Sequence, residues 1–219
     1  MNARELARYI EHTELRAFTT RKDIEKLCEE AKRYGFYGVC VNPYRVRDAK
    51  ELLKNENIKV ISVVGFPLGA TFPEVKIQEA LMAIHDGVDE IDMVMNIGAF
   101  KEGNYSEVER EIREMVGVAH PQGVKVKVII ETCYLTDEEK LKACELIKNA
   151  GADFVKTSTG FGKEGAKARD IKLIHQKFPE LKIKAAGGIK NASQAIEMIE
   201  AGASRIGASR GVDIIESLS

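Results

Sequence analysis

Three charged residues stand in segments otherwise too apolar to welcome them. Asp92 lies in EIDMVM, Lys156 in ADFVKTST and Lys184 in KIKAAGG. A lysine inside a packed core costs several kcal/mol, roughly, unless it is paired. One reading is a structural Lys–Asp–Lys ion network, or lysines that snorkel outward between helices. The chemical reading is a Schiff base. An amine attacks a carbonyl only when unprotonated, and desolvation or a neighbouring cation favours that state. One lysine would then be the nucleophile and the other the cation that tunes it. Asp92 would shuttle protons during carbinolamine dehydration and enamine protonation. Spacing alone does not say which lysine bonds covalently.

Glycine supplies a second signal. Gly187-Gly188 and Gly207-Ala208-Ser209 each follow an apolar run, and small residues let backbone N–H groups approach an anion. Two such loops together point to a phosphorylated substrate. A third, from Gly160 to Gly165, reads either as a flap over the ligand or as a plain surface loop. His12 reads as an acid–base group or a structural histidine. Glu131 reads as a proton-network member or an ion-pair partner of Lys156. Cys40 has no adjacent base and reads as a core thiol.

The elements that must position these groups recur along the chain. A helical pattern ends in Gly and an apolar run follows, at Gly35, Gly87, Gly123, Gly151 and Gly202. The period is about 28 residues, the size of a strand–helix unit. Thr20-x-x-Asp23, Thr136-x-x-Glu139 and Asn191-x-x-Gln194 resemble capping boxes. Eight strands are predicted near 11–14, 37–41, 58–64, 88–94, 124–131, 153–157, 182–186 and 204–207. Strict alternation predicts a parallel sheet, and eight units predict an α/β fold, a (β/α)8 TIM barrel with an additional N-terminal helix. The site then belongs at the C-terminal ends of the strands. An open doubly wound sheet is the alternative, but HTELRAFT lacks the usual glycine-rich first turn.

Composition narrows the classes. The 219 residues, with 33 Lys+Arg against 34 Asp+Glu, suit one domain over 1–219 and disfavour nucleic-acid binding. No apolar run reaches the ~20 residues that span a bilayer, and the N-terminus has no signal-peptide pattern. Four cysteines without CxxC spacing and four scattered histidines suggest reduced thiols in the cytoplasm and no metal.

Five motifs in order, VCVNP (39–43), VVGFPLG (63–69), EIDMVMNIGA (90–99), VKTSTGF (155–161) and KAAGGI (184–189), resemble the deoxyribose-phosphate aldolase family. The likeness runs from IEHTEL near the N-terminus to GASRG near the C-terminus. It implies a class I, metal-independent and cofactor-free aldolase that reversibly cleaves 2-deoxy-D-ribose 5-phosphate to D-glyceraldehyde 3-phosphate and acetaldehyde. It makes Lys156 the Schiff-base lysine, and Asp92 with Lys184 the proton-transfer pair. Gly160, Gly187, Gly188, Gly207 and Ser209 would hold phosphate, with Thr13 and Asn42 lining the sugar pocket. A homo-oligomer, dimer or tetramer, is expected. Three features depart from the family pattern: Glu11 replaces an aspartate, Arg210 stands where a second serine is common, and the chain lacks a C-terminal tyrosine. Another Schiff-base aldolase and a non-catalytic phosphosugar-binding regulator remain the competing readings.

Overall fold

The computed structural model describes residues 1–218. Its eight strands are β1 (Ile10–Glu14), β2 (Gly38–Val41), β3 (Lys59–Val64), β4 (Glu90–Val94), β5 (Lys125–Ile129), β6 (Phe154–Lys156), β7 (Lys182–Ala186) and β8 (Arg205–Ala208). Each pairs in parallel with the next, and β8 returns to β1, closing a barrel. The helices α1 (Ala3–Ala7), α2 (Arg21–Tyr34), α3 (Val46–Leu52), α4 (Pro73–His85), α5 (Ile97–Lys101), α6 (Tyr105–Ala119), α7 (Asp137–Ala150), α8 (Ala168–Lys177), α9 (Ala192–Glu200) and α10 (Gly211–Glu216) surround it. The expected (β/α)8 barrel with an extra N-terminal helix is therefore present. The short α5 was not anticipated; Asn96 starts it by accepting the Ala99 N–H.

The five repeat glycines all take positive φ, from 70° at Gly35 to 118° at Gly202, which turns each helix end into the next strand. Thr20 and Thr136 form complete capping boxes on α2 and α7. Asn191 caps α9 by accepting the Gln194 N–H, but the box is incomplete. The Gln194 side chain accepts the Lys190 N–H instead.

Side chains alternate across each strand, so one set faces the helices and the other the barrel axis. The outer set, including Val39, Val60, Ile91, Met93, Val126, Val128, Val155, Ile183 and Ile206, joins the apolar faces of the helices in one core. The axial set divides. On β2 and β3 it is apolar, with Cys40, Ile61 and Val63 packed beside Leu15 and Phe66. From β4 round to β1 it is charged. Register sets Asp92 opposite Lys127 and Lys156 opposite Lys184, so these charges share the axis.

Candidate active site

Asp92 sits at the centre of the charged half. One carboxylate oxygen, Oδ2, accepts from both Lys156 Nζ (2.9 Å) and Lys184 Nζ (2.6 Å); the other accepts from Lys127 Nζ (2.8 Å). Lys127 also lies 2.6 Å from Glu90 and 3.6 Å from Glu11. Glu11 takes a second hydrogen bond from Lys184. Three lysines thus face three carboxylates, all buried. Mutual pairing on this scale is what permits so many charges in a barrel interior.

The electrostatics follow the geometry. Burial pushes the Asp92 carboxyl upward, but Lys127, Lys156 and Lys184 outweigh it and hold the carboxyl well below the usual aspartate range. Burial disfavours the Lys127 ammonium, yet Asp92, Glu11 and Glu90 hold it well above the ordinary lysine value. Lys184 is raised against the same burial by Asp92 and Glu11. It is therefore a permanent cation at neutral pH, hydrogen-bonded to the carboxylate oxygen that also holds Lys156.

Lys127 and Glu90 were missed in the sequence. A signal existed, because Lys127 in VKVKVII is a charge in an apolar strand just as Lys156 is. Its alternation with Lys125 imitates a solvent-facing strand, and only closure of the barrel turns that face inward. The Asp-to-Glu departure at position 11 resolves into a direct bond to Lys184. Gly207 is required there, since a Cβ would come 2.9 Å from Lys184 Cε.

Above this network a cavity of about 280 Å³ opens at the C-terminal ends of the strands. Thr13, Lys156, Gly160, Gly187, Gly188, Gly207 and Ser209 line it, together with Thr159, Phe161 and Arg16. Gly187 and Gly188 take φ of 88° and 79°, turning the backbone sharply toward the opening. Asp92 and Lys184 lie fully buried and bonded to each other, and Asp92 also accepts from Lys156. Arg16 is a rim cation that sequence reading overlooked; it is held by Glu14.

Other expected residues fall elsewhere. Asn42 is not brought to the cavity; it caps the turn after β2, its carbonyl accepting the Arg45 N–H at 2.8 Å. Arg210 is also outside, with its exposed guanidinium 3.9 Å from Asp213. His12 is structural. Its Nε2 lies 2.7 Å from Glu30 and its ring packs on Phe36, on the face of β1 turned to α2. Glu131 bonds Thr159, whereas Lys156 bonds Asp92, so of the two readings of Glu131 the ion pair with Lys156 is not formed. Cys40 is buried and its thiol is pushed upward by that burial, in keeping with a core thiol. All four cysteines are free.

A closed (β/α)8 barrel with a lysine on a buried carboxylate, beneath a glycine-rimmed cavity, is a barrel site suited to amine chemistry on a small carbonyl compound. Residues 7–217 match the DeoC/LacD family aldolase. Deoxyribose-phosphate aldolases from Aciduliprofundum boonei and Thermococcus kodakarensis are 70% and 62% identical over 219 residues. These alignments cover 100% and 99% of this chain, and 99% and 98% of the relatives. A tetrameric deoxyribose phosphate aldolase structure from Aeropyrum pernix superposes with a TM-score of 0.93 at 32% identity, over 99% of this chain and 92% of that one. The chain belongs to the DeoC/LacD aldolase family. No helix among the described residues is long and apolar enough to cross a membrane.

Proposed function

We propose that the chain is a single-domain deoxyribose-phosphate aldolase with Lys156 as its nucleophile. The observation that carries this reading is Asp92 Oδ2, shared by Lys156 and Lys184 directly beneath the cavity. Between the two lysines, Lys156 alone lines the opening, so it meets the substrate while Lys184 stays below as a cation.

The reaction begins with open-chain 2-deoxyribose 5-phosphate. Neutral Lys156 Nζ attacks the C1 aldehyde and forms a carbinolamine, which loses water to an iminium. The C3 hydroxyl gives up its proton, the C2–C3 bond breaks, and its electron pair passes into the iminium as an enamine. Glyceraldehyde 3-phosphate leaves. The enamine takes a proton at C2, and water hydrolyses the resulting iminium to acetaldehyde and free Lys156. Asp92, with Lys184 on the same oxygen, relays these protons through water. The loops at Gly160, Gly187–Gly188 and Gly207–Ser209 receive the phosphate on backbone N–H groups.

Borohydride reduction in the presence of acetaldehyde tests the reading. Wild type should gain a covalent two-carbon adduct on Lys156 by mass spectrometry, and Lys156→Ala should gain none. An adduct undiminished in Lys156→Ala would refute the assignment. We also propose a homo-oligomer, as the tetrameric Aeropyrum pernix structure suggests. Its interface is the apolar face beside β3, where Tyr44, Leu68, Phe72 and Met82 are 71–85% exposed.

A further inference from the structure

Glu131 is buried and takes no part in the lysine network, yet its backbone is held at φ 49° and ψ 69°. Among the described residues it is the one non-glycine with positive φ. Such a conformation is unfavourable for a side-chain-bearing residue and persists only where its surroundings impose it.

Its carboxylate shows what is gained. Oε2 accepts the Thr159 N–H at 3.1 Å and also the Thr159 hydroxyl. That hydroxyl, donating to Glu131, accepts the Phe161 N–H at 3.0 Å. One carboxylate therefore holds Thr159 directly and Phe161 through the Thr159 hydroxyl, in the loop after β6. Phe161 caps the cavity edge-to-face against Phe66, with ring centroids 5.3 Å apart. Further along, the loop presses on the neighbouring rim. Ala166 N–H bonds the carbonyls of Ala186 and Gly187, and a Cβ on Gly165 would come 2.1 Å from Gly187 O. Gly162 leaves room for the carboxylate, since a Cβ there would lie 2.9 Å from Glu131 Cδ.

We infer that Glu131 is a positioning residue that pins the loop after β6 against Gly187, and so sets the affinity of this rim for a phosphate group without entering the lysine chemistry. The inference rests on the aldolase reading for its substrate, but the rim can be probed with inorganic phosphate alone. Glu131→Gly is the discriminating variant: it removes the carboxylate and leaves a residue that adopts the same backbone freely. Glu131→Gln keeps an oxygen able to accept from Thr159 N–H. Thr159→Val removes the hydroxyl link by a second route.

Calorimetric titration with inorganic phosphate should show Kd rising about tenfold or more in Glu131→Gly, the scale of one charge-assisted hydrogen bond, with partial recovery in Glu131→Gln. KM for deoxyribose 5-phosphate should rise in parallel. KM for unphosphorylated 2-deoxyribose, and acetaldehyde trapping on Lys156, should stay as in wild type. Absence of phosphate binding in wild type, or an unchanged Kd in Glu131→Gly and Thr159→Val, overturns the inference. Equal losses on both sugars together with lost trapping overturn it as well, by moving Glu131 into the proton chemistry. Failure of wild type to trap acetaldehyde sinks the aldolase reading instead, and the phosphate titration still decides the role of Glu131.

Discussion

A carboxylate that bonds three lysines is asked for two things that conflict. In the proposed mechanism Asp92 accepts and returns protons, yet every cation near it favours its charged form. Lys184 eases the conflict for Lys156, because the oxygen that accepts from Lys156 at 2.9 Å also accepts from the Lys184 cation at 2.6 Å, which weakens its hold on a second positive charge. Lys184 is held above the ordinary lysine value, so it keeps this role through neutral and mildly alkaline pH. Lys184→Leu leaves that oxygen to Lys156 alone and removes the neighbouring cation. Turnover at neutral pH is expected to fall by about 10²–10⁴-fold, the usual weight of a positioned proton-transfer group. Part of the loss should return as pH rises, since hydroxide then competes for the Lys156 proton. A pH–rate profile parallel to wild type would rule out such tuning.

Between elements, a second buried ion pair ties the helical shell to the strand that carries Asp92. Lys76 on α4 lies 2.6 Å from Glu111 on α6 and donates to the Val94 carbonyl at the end of β4 (2.8 Å). Glu111 also accepts the Asn96 N–H, so the pair grips both sides of the β4 exit. Burial pushes Lys76 below the ordinary lysine value and Glu111 above the ordinary carboxylate value. Each group therefore pays for desolvation and depends on the other. Lys76→Met should cost about 3–5 kcal/mol by leaving a buried carboxylate alone, and Lys76→Met with Glu111→Leu should recover part of that loss. Urea unfolding curves measure both, and a single variant as stable as wild type would contradict the coupling. Gly65 belongs to the same arrangement, since a Cβ there would meet Lys76 Cε at 2.8 Å.

At the scale of the molecule, several exposed apolar side chains, Tyr44, Leu68, Phe72, Val75 and Met82, lie beside β3. A groove of about 960 Å³ runs there between Tyr44, Leu68, Val75 and Met82. It is larger than the cavity above the lysine network but is lined by none of the buried lysines of that network, which is why it reads as a contact surface. Self-association through this face should be broken by Met82→Glu combined with Phe72→Lys. Light scattering after size-exclusion chromatography is expected to show wild type as an oligomer and the double variant as a monomer. A monomeric wild type, or an oligomer indifferent to both changes, would remove this face from consideration.

Much of the architecture was legible because it is written in local chemistry. Glycines at helix ends, threonine caps and apolar runs act over a few residues, and they specified eight strand–helix units before any contact was known. Asp92, Lys156 and Lys184 stood out for the same reason, as charges against an apolar background. Strand ends were less legible. β5 was expected to run to 131 but stops at Ile129, with Glu131 turned to a positive φ by its bonds to the loop after β6. Lys127, Glu90 and the direct Glu11–Lys184 bond became visible only on closure, because β1 and β7 carry partners 173 residues apart. Asn42 and Arg210 went the other way: Asn42 starts the turn after β2, and Arg210 follows the rim residue Ser209 but lies near Asp213 instead. The sequence by itself determined the repeating unit and the residues with chemistry to offer. Tertiary structure decided which of them meet, because only a closed barrel turns one face of β4 through β8 and β1 toward a single axis, where charges that are unaffordable singly become mutually satisfied.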